Sequence, residues 1–242
     1  VRQMCPRIIW ILWLQGWETA PRLCRLVKQS WELHNPGWEV RAICKQTLPA
    51  YIDMTGYPGE ASVQAQSDWI RLTLISTHGG VWVDSTLLCF RPLDEWLPQF
   101  SSYWMFRGSP WFMHGKGPAS WFICANRYSY SMRKWKEACD RFWSDRRSVS
   151  ALEYFWMDGL WWDLHRTDPK FRDEWAWVES PCVNLPNGPG MLDGRTNGYS
   201  YEVESVLTQN PPPILKLSLR GYIENDPNTN SNVALRKSLG IQ

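Results

Sequence analysis

Residues 7–13 (RIIWILW) form a short apolar run between Pro6 and Gly16, the pattern of a buried strand. Leu23, Leu26, Val27 and Trp31 then recur at helical spacing, which predicts a helix over residues 21–33. Asn35-Pro36-Gly37 marks a turn, and residues 38–44 (WEVRAIC) alternate as a second strand. Strand, helix and strand in so short a span make a βαβ unit, hence a parallel sheet. A helix over residues 61–77 follows, with Val63, Ile70 and Leu74 on one stripe. Gly79-Gly80 stops it and leads at once into a strand predicted over residues 81–90 (VWVDSTLLCF).

Beyond Pro98 the pattern predicts strands over residues 103–107 and 121–125, separated by a Gly/Pro-rich loop over residues 108–118. Helices are expected over residues 128–143 and 150–163. The following third is looser, with a Gly- and Asn-rich stretch at residues 187–198 and a last strand at residues 214–219. The Asn- and Ser-rich residues 226–242 are expected to be a flexible tail. The expectation is one α/β domain over residues 1–225 with a mostly parallel central sheet.

Composition narrows the function. With 44% hydrophobic and 21% charged residues, the 242-residue chain suits a packed soluble globule. A net charge of +2 and the absence of any Lys/Arg run exclude a nucleic-acid partner. The seven cysteines are scattered and the four histidines isolated, so a zinc knuckle and a redox dithiol are excluded. Reduced thiols and the lack of a long apolar span or secretory leader point to a cytoplasmic location, with peripheral association at the inner face of a membrane open. The 18 tryptophans exceed ordinary usage; most are expected in the core, with two or three in a site that stacks sugar rings or bases.

The chemistry concentrates in Ser67-Asp68-Trp69-Ile70-Arg71 and in Gly79-Gly80-Val81-Trp82-Val83-Asp84-Ser85-Thr86. Asp68 and Arg71 stand at i and i+3, on one helix face. The same spacing also makes an ordinary surface ion pair of little energetic worth. The glycine stop and the strand carrying Asp84 are what aim the pair at a ligand, since ligands collect at the carboxyl ends of strands in an open α/β sheet. Carboxylates accept sugar hydroxyls, and a guanidinium donates in a fixed fork. A departing nucleoside diphosphate needs its charge neutralised, for which a strand-end carboxylate with a divalent cation is the usual device.

Those segments, with Pro6-Arg7-Ile8-Ile9-Trp10 and Arg91-Pro92-Leu93-Asp94, resemble the capsular polysaccharide synthesis glycosyltransferases and the wider DxD-containing sugar transferases of glycosyltransferase family 32. The resemblance covers roughly the first hundred residues and thins to residues 121–127 and 154–158. It implies a Rossmann-like GT-A fold, a nucleotide-sugar donor, a glycan or lipid-linked acceptor and retaining transfer. It places Asp68 and Arg71 on the donor sugar or ribose, with Ser85 beside them, and Trp10 near the nucleobase at the end of the first strand. Asp84 becomes the first carboxylate of the DxD motif. Thr86 replaces the second acid, so Mn²⁺ or Mg²⁺ would be held by Asp84 and Thr86, with diphosphate and water supplying the remaining ligands. Ile214-Leu215-Lys216-Leu217 resembles the late segment of the family, and Lys216 would stabilise the leaving group. Glu153 or Asp158 would serve as a base or stabilise the positive sugar. A sugar-binding protein without activity and a glycoside hydrolase are the rival readings; the first ignores nucleotides and the second needs none.

Overall fold

In the computed structural model, residues 5–108, 117–148, 150, 154–181, 190–191, 201–220 and 222–241 are described. The expected strand–helix–strand opening is β1 (Ile8–Leu12), α1 (Arg22–His34) and β2 (Glu39–Ile43). Helix α2 (Val63–His78) and strand β3 (Gly80–Val83) follow, the helix capped by the Ser62 hydroxyl, which accepts from the Ala65 N–H at 3.3 Å. Ile70 and Leu74 are buried as the stripe requires, whereas Val63 is exposed at the first turn.

The main sheet has the order β2-β1-β3-β6-β5, with β5 at Tyr103–Arg107 and β6 at Pro118–Ala125. Strands β1, β2 and β3 pair in parallel, while β6 is antiparallel to both β3 and β5. Four of the five strands therefore share one direction, and β6 alone is reversed. From β1 the chain moves outward to β2 and then back across to β3. Right-handed crossovers put α1 and α2 on opposite faces of the sheet as a result. The short helix α3 spans Leu93–Trp96. Helix α2 packs on α4 (Tyr130–Trp143), which packs in turn on α5 (Trp156–Thr167) and α6 (Pro169–Ala176). No helix among the described residues is long and apolar enough to cross a membrane.

Gly79 and Gly80 make the tight link from α2 into β3. Both have positive φ, 68° and 90°. A Cβ at Gly79 would lie 2.8 Å from the Ala125 carbonyl, and one at Gly80 would lie 2.7 Å from the Ile8 carbonyl. Only glycine fits both the backbone and the space.

Two expectations are corrected. The run over residues 81–90 is not one strand. The Leu87 N–H bonds the Asp84 carbonyl at 2.9 Å, closing a turn at Asp84-Ser85-Thr86. Past that turn, β4 (Leu87–Cys89) leaves the main sheet for a small second sheet of order β4-β8-β7, with β7 at Gly190–Met191 and β8 at Ile214–Lys216.

Residues 226–242 are not a flexible tail either. Residues Asn230–Leu239 form α8, capped by Thr229 at its start and by left-handed Gly240 at its end; α7 (Tyr201–Gln209) packs against it. Asn232 and Ser238, which read as solvated chain, are buried and bonded within the fold. Asn232, for instance, donates to the carbonyls of Ile223 and Asp226. Ala234 and Leu235 are buried, and the helix packs on α1 and β4. Leu235→Ala is expected to cost about 2–5 kcal/mol of stability, as for other buried leucines. Denaturant unfolding measures it, and a loss within error of zero would mean that α8 is not docked.

Candidate active site

Asp84 stands directly after β3, at the carboxyl end of the strand. Its N–H bonds the Trp121 carbonyl at 3.0 Å, continuing the β3–β6 ladder by one residue and fixing the backbone of Asp84. Side chains two apart on a strand share a face. Trp82 accordingly donates its indole N–H to Asp84 Oδ1 at 3.0 Å.

Helix α2 brings Asp68 and Arg71 to the same place. The Arg71 Nη2 lies 3.1 Å from Asp68 Oδ1 and 3.3 Å from Asp84 Oδ1. Its Nη1 donates to the carbonyl and hydroxyl of Ser120 at 2.8 and 3.1 Å. The guanidinium also lies 5.3 Å over the Trp82 ring. Both terminal nitrogens are thus committed to protein acceptors. Arg71 thereby bridges the two carboxylates.

Lys216 arrives from the other side. In the antiparallel pairing of β4 with β8, Leu87 stands opposite Lys216, and the Leu217 N–H bonds the Thr86 carbonyl at 2.8 Å. This register sets the ammonium 2.8 Å from Asp84 Oδ2 and 2.6 Å from Thr86 Oγ1. Ser85 lies next to the buried Cys24, whose thiol burial pushes up to about 11 although Ser85 and Lys216 oppose the rise.

The two carboxyls on Arg71 titrate apart. Burial pushes Asp84 up, yet Lys216 and Arg71 outweigh it and hold the carboxyl below its usual range. Asp68 has only a share of Arg71, and burial lifts it to about 7, with the charges of Asp84 and Asp158 adding to the rise. The Trp156 indole N–H meets no acceptor at strict hydrogen-bond geometry, though it lies close enough to favour ionised Asp68. Asp158, in the first turn of α5, thereby joins the cluster: its charge acts on both Asp68 and Arg71. Paired acids driven apart in this way mark sites of chemistry.

The structure departs from the expectation for Trp10. Trp10 is fully buried in the middle of β1, not at its end. Its N–H bonds the Gly79 carbonyl at 3.0 Å, and Tyr51, His78 and Arg41 cover the ring. A central strand is covered on both faces, so this indole has no face left for a base. The two donors that the resemblance gives to Mn²⁺ or Mg²⁺ are engaged by protein. Asp84 and Thr86 both already hold the Lys216 ammonium, and among the described residues no group of three or more His, Cys, Asp or Glu could hold a metal ion. Glu153 lies outside the described residues. Arg7 and Asp94, both from the resemblance motif, form a bidentate pair at 2.9 and 2.6 Å before β1, at the opposite end of the sheet from Asp84.

Ser120, Trp82 and Trp156 were not anticipated. Trp82 was legible from its two-residue offset to Asp84. Ser120 has no local signature, since only the pairing of β3 with β6 brings it to Arg71.

Asp68 carries a pH dependence. Between its ordinary 3.8 and about 7, the folded chain holds this proton more tightly than the unfolded chain does. Its contribution to stability is full at acid pH and lost as pH rises through about 7. Asp68→Asn should remove that loss. Melting temperatures of wild type are expected to fall relative to the variant from about pH 4 to about pH 7; parallel curves would show that Asp68 does not hold the proton.

The profile of the capsular polysaccharide synthesis protein family matches residues 2–228. The chain is 26% identical over 103 residues to an uncharacterized glycosyltransferase of Acanthamoeba polyphaga mimivirus, covering 39% of this chain and 40% of that protein. It is 27% identical over 172 residues to the glycosyltransferase afumC of Aspergillus fumigatus, covering 60% of this chain and 43% of that protein. The matches thus span less than half the length of these relatives. Among solved structures it is similar to the PaToxG glycosyltransferase, with a TM-score of 0.48 and 10% identity over 71% of this chain and 72% of that one. With its whole sheet and charged cluster inside the matched span, the chain belongs to the capsular polysaccharide synthesis protein family.

Proposed function

We propose that this chain is a GT-A-type glycosyltransferase that moves a sugar from a nucleoside diphosphate to a hydroxyl of a glycan or lipid-linked saccharide. One observation carries the reading: Asp68, Arg71, Asp84, Asp158 and Lys216 converge at the carboxyl edge of the sheet. The glycosyltransferase names of its relatives support it.

In this reading Asp84, kept ionised by Arg71 and Lys216, accepts a donor hydroxyl on a lone pair that those cations leave open. The sugar–phosphate bond breaks, and its electron pair leaves with the diphosphate. Lys216 meets that growing negative charge with an N–H already held in place, so no reorganisation is needed during the reaction. Asp158 faces the positive charge that develops on the sugar. The acceptor oxygen bonds to the anomeric carbon from the side the phosphate has left, and its proton passes to the departing phosphate oxygen. The anomeric configuration is retained, the course the resemblance implies.

A thermal-shift screen of UDP-, GDP- and CMP-sugars identifies the donor, and transfer or donor hydrolysis measures turnover. Asp84→Ala is expected to abolish the shift from the cognate donor and to lower turnover by at least about a hundredfold. Full affinity and turnover in that variant would overturn the site. A protein that shifts with free sugars and ignores every nucleotide is a lectin instead.

A further inference from the structure

We propose that Lys216 takes the place of the divalent cation, so that this chain grips the diphosphate of its donor through an ammonium and binds it without metal. The proposal rests on the nucleotide-donor reading above and specifies its chemistry.

The two atoms that the DxD resemblance gives to a cation are a carboxylate oxygen of Asp84 and the hydroxyl of Thr86. Lys216 Nζ lies 2.8 Å from the first and 2.6 Å from the second. The other Asp84 oxygen is taken as well, by Arg71 at 3.3 Å and Trp82 at 3.0 Å. A Mg²⁺ on Oδ2, with its bond of about 2.1 Å, would stand within about 5 Å of an ammonium that is itself 2.8 Å from Oδ2. That is a dication against a cation in a site shielded from water, where such repulsion is strong.

Threonine at position 86 fits the same substitution. Its hydroxyl oxygen accepts from the ammonium and adds no charge. An acid there would add a second carboxylate, the donor that a dication needs. The lysine cannot readily be displaced, for its side chain is only 16% exposed and the β4–β8 register fixes its backbone. An ammonium has three N–H donors. Two go to Asp84 and Thr86, and the third meets no acceptor among the described residues. A phosphate oxygen is the ligand whose charge and lone pairs suit that donor.

The test is calorimetric titration of UDP, GDP and ADP into the wild-type chain, once in EDTA and once in Mn²⁺, with the EPR signal of Mn²⁺ as a second readout. The cognate nucleotide is expected to bind with the same dissociation constant in both buffers to within about a factor of two. The EPR signal of free Mn²⁺ should stay unchanged when protein is added to Mn²⁺ and nucleotide. Binding that requires Mn²⁺, or loss of the free-ion signal only when protein and nucleotide are both present, overturns the proposal while leaving the nucleotide-donor reading standing. Absence of binding in both buffers overturns the nucleotide-donor reading itself. Lys216→Met should weaken nucleotide binding in EDTA by at least about tenfold, and Lys216→Arg should retain most of it. Unchanged affinity in a Lys216→Met variant with a native circular dichroism spectrum also overturns the proposal. If that variant does not fold, the wild-type comparison decides alone.

Discussion

A carboxylate at a strand tip, largely withdrawn from water, needs compensation, and Asp84 has a cation on each of its oxygens. Arg71 reaches Oδ1 from the preceding helix, and Lys216 reaches Oδ2 from a strand 132 residues further on. Removing either cation would leave a charge with half its compensation in a poorly solvated place, which is strongly destabilising. The geometry around this one side chain therefore ties together the α2–β3 link, the turn after β3 and the pairing of the small sheet.

Each of those features has its own local cause. The glycine pair lets α2 turn into β3 with no room for a Cβ at either position. The ladder bond from Asp84 to Trp121 fixes where the carboxylate projects. The turn at Asp84-Ser85-Thr86 sends the chain into β4, and the β4 register with β8 delivers the lysine. Cations from two separate elements, α2 and β8, end on Asp84 because these constraints agree. The same cluster leaves Asp68 with a shared guanidinium and a raised affinity for its proton, so neighbouring carboxyls hold different protonation states near neutrality.

Local patterns in the sequence carried the parts of this that depend on near neighbours. The βαβ opening, the helix bearing Asp68 and Arg71, the glycine stop and the strand ending at Asp84 all show as periodicity or punctuation. The resemblance pointed to Lys216, but its partners depend on a long-range strand pairing that no local pattern encodes. Residues 81–90 read as one strand because a three-residue turn lies hidden in an apolar run. Trp10 read as a binding residue because an indole looks alike in a core and in a cleft; only its central strand position separates the two. The final helix was hidden by composition, since Asn and Ser cap and turn as readily as they solvate. Helix α6 carries its own start signal in the sequence, Asp168-Pro169, an N-cap followed by proline in the first turn.

The most direct test of the central claim is a crystal structure of the chain with its cognate nucleoside diphosphate, grown in EDTA. The account places phosphate oxygens within hydrogen-bond reach of Lys216 Nζ, with Asp84 still held between Lys216 and Arg71. A nucleotide seated elsewhere on the protein, or one that draws Lys216 away from Asp84 and leaves the carboxylate open to solvent, would contradict it.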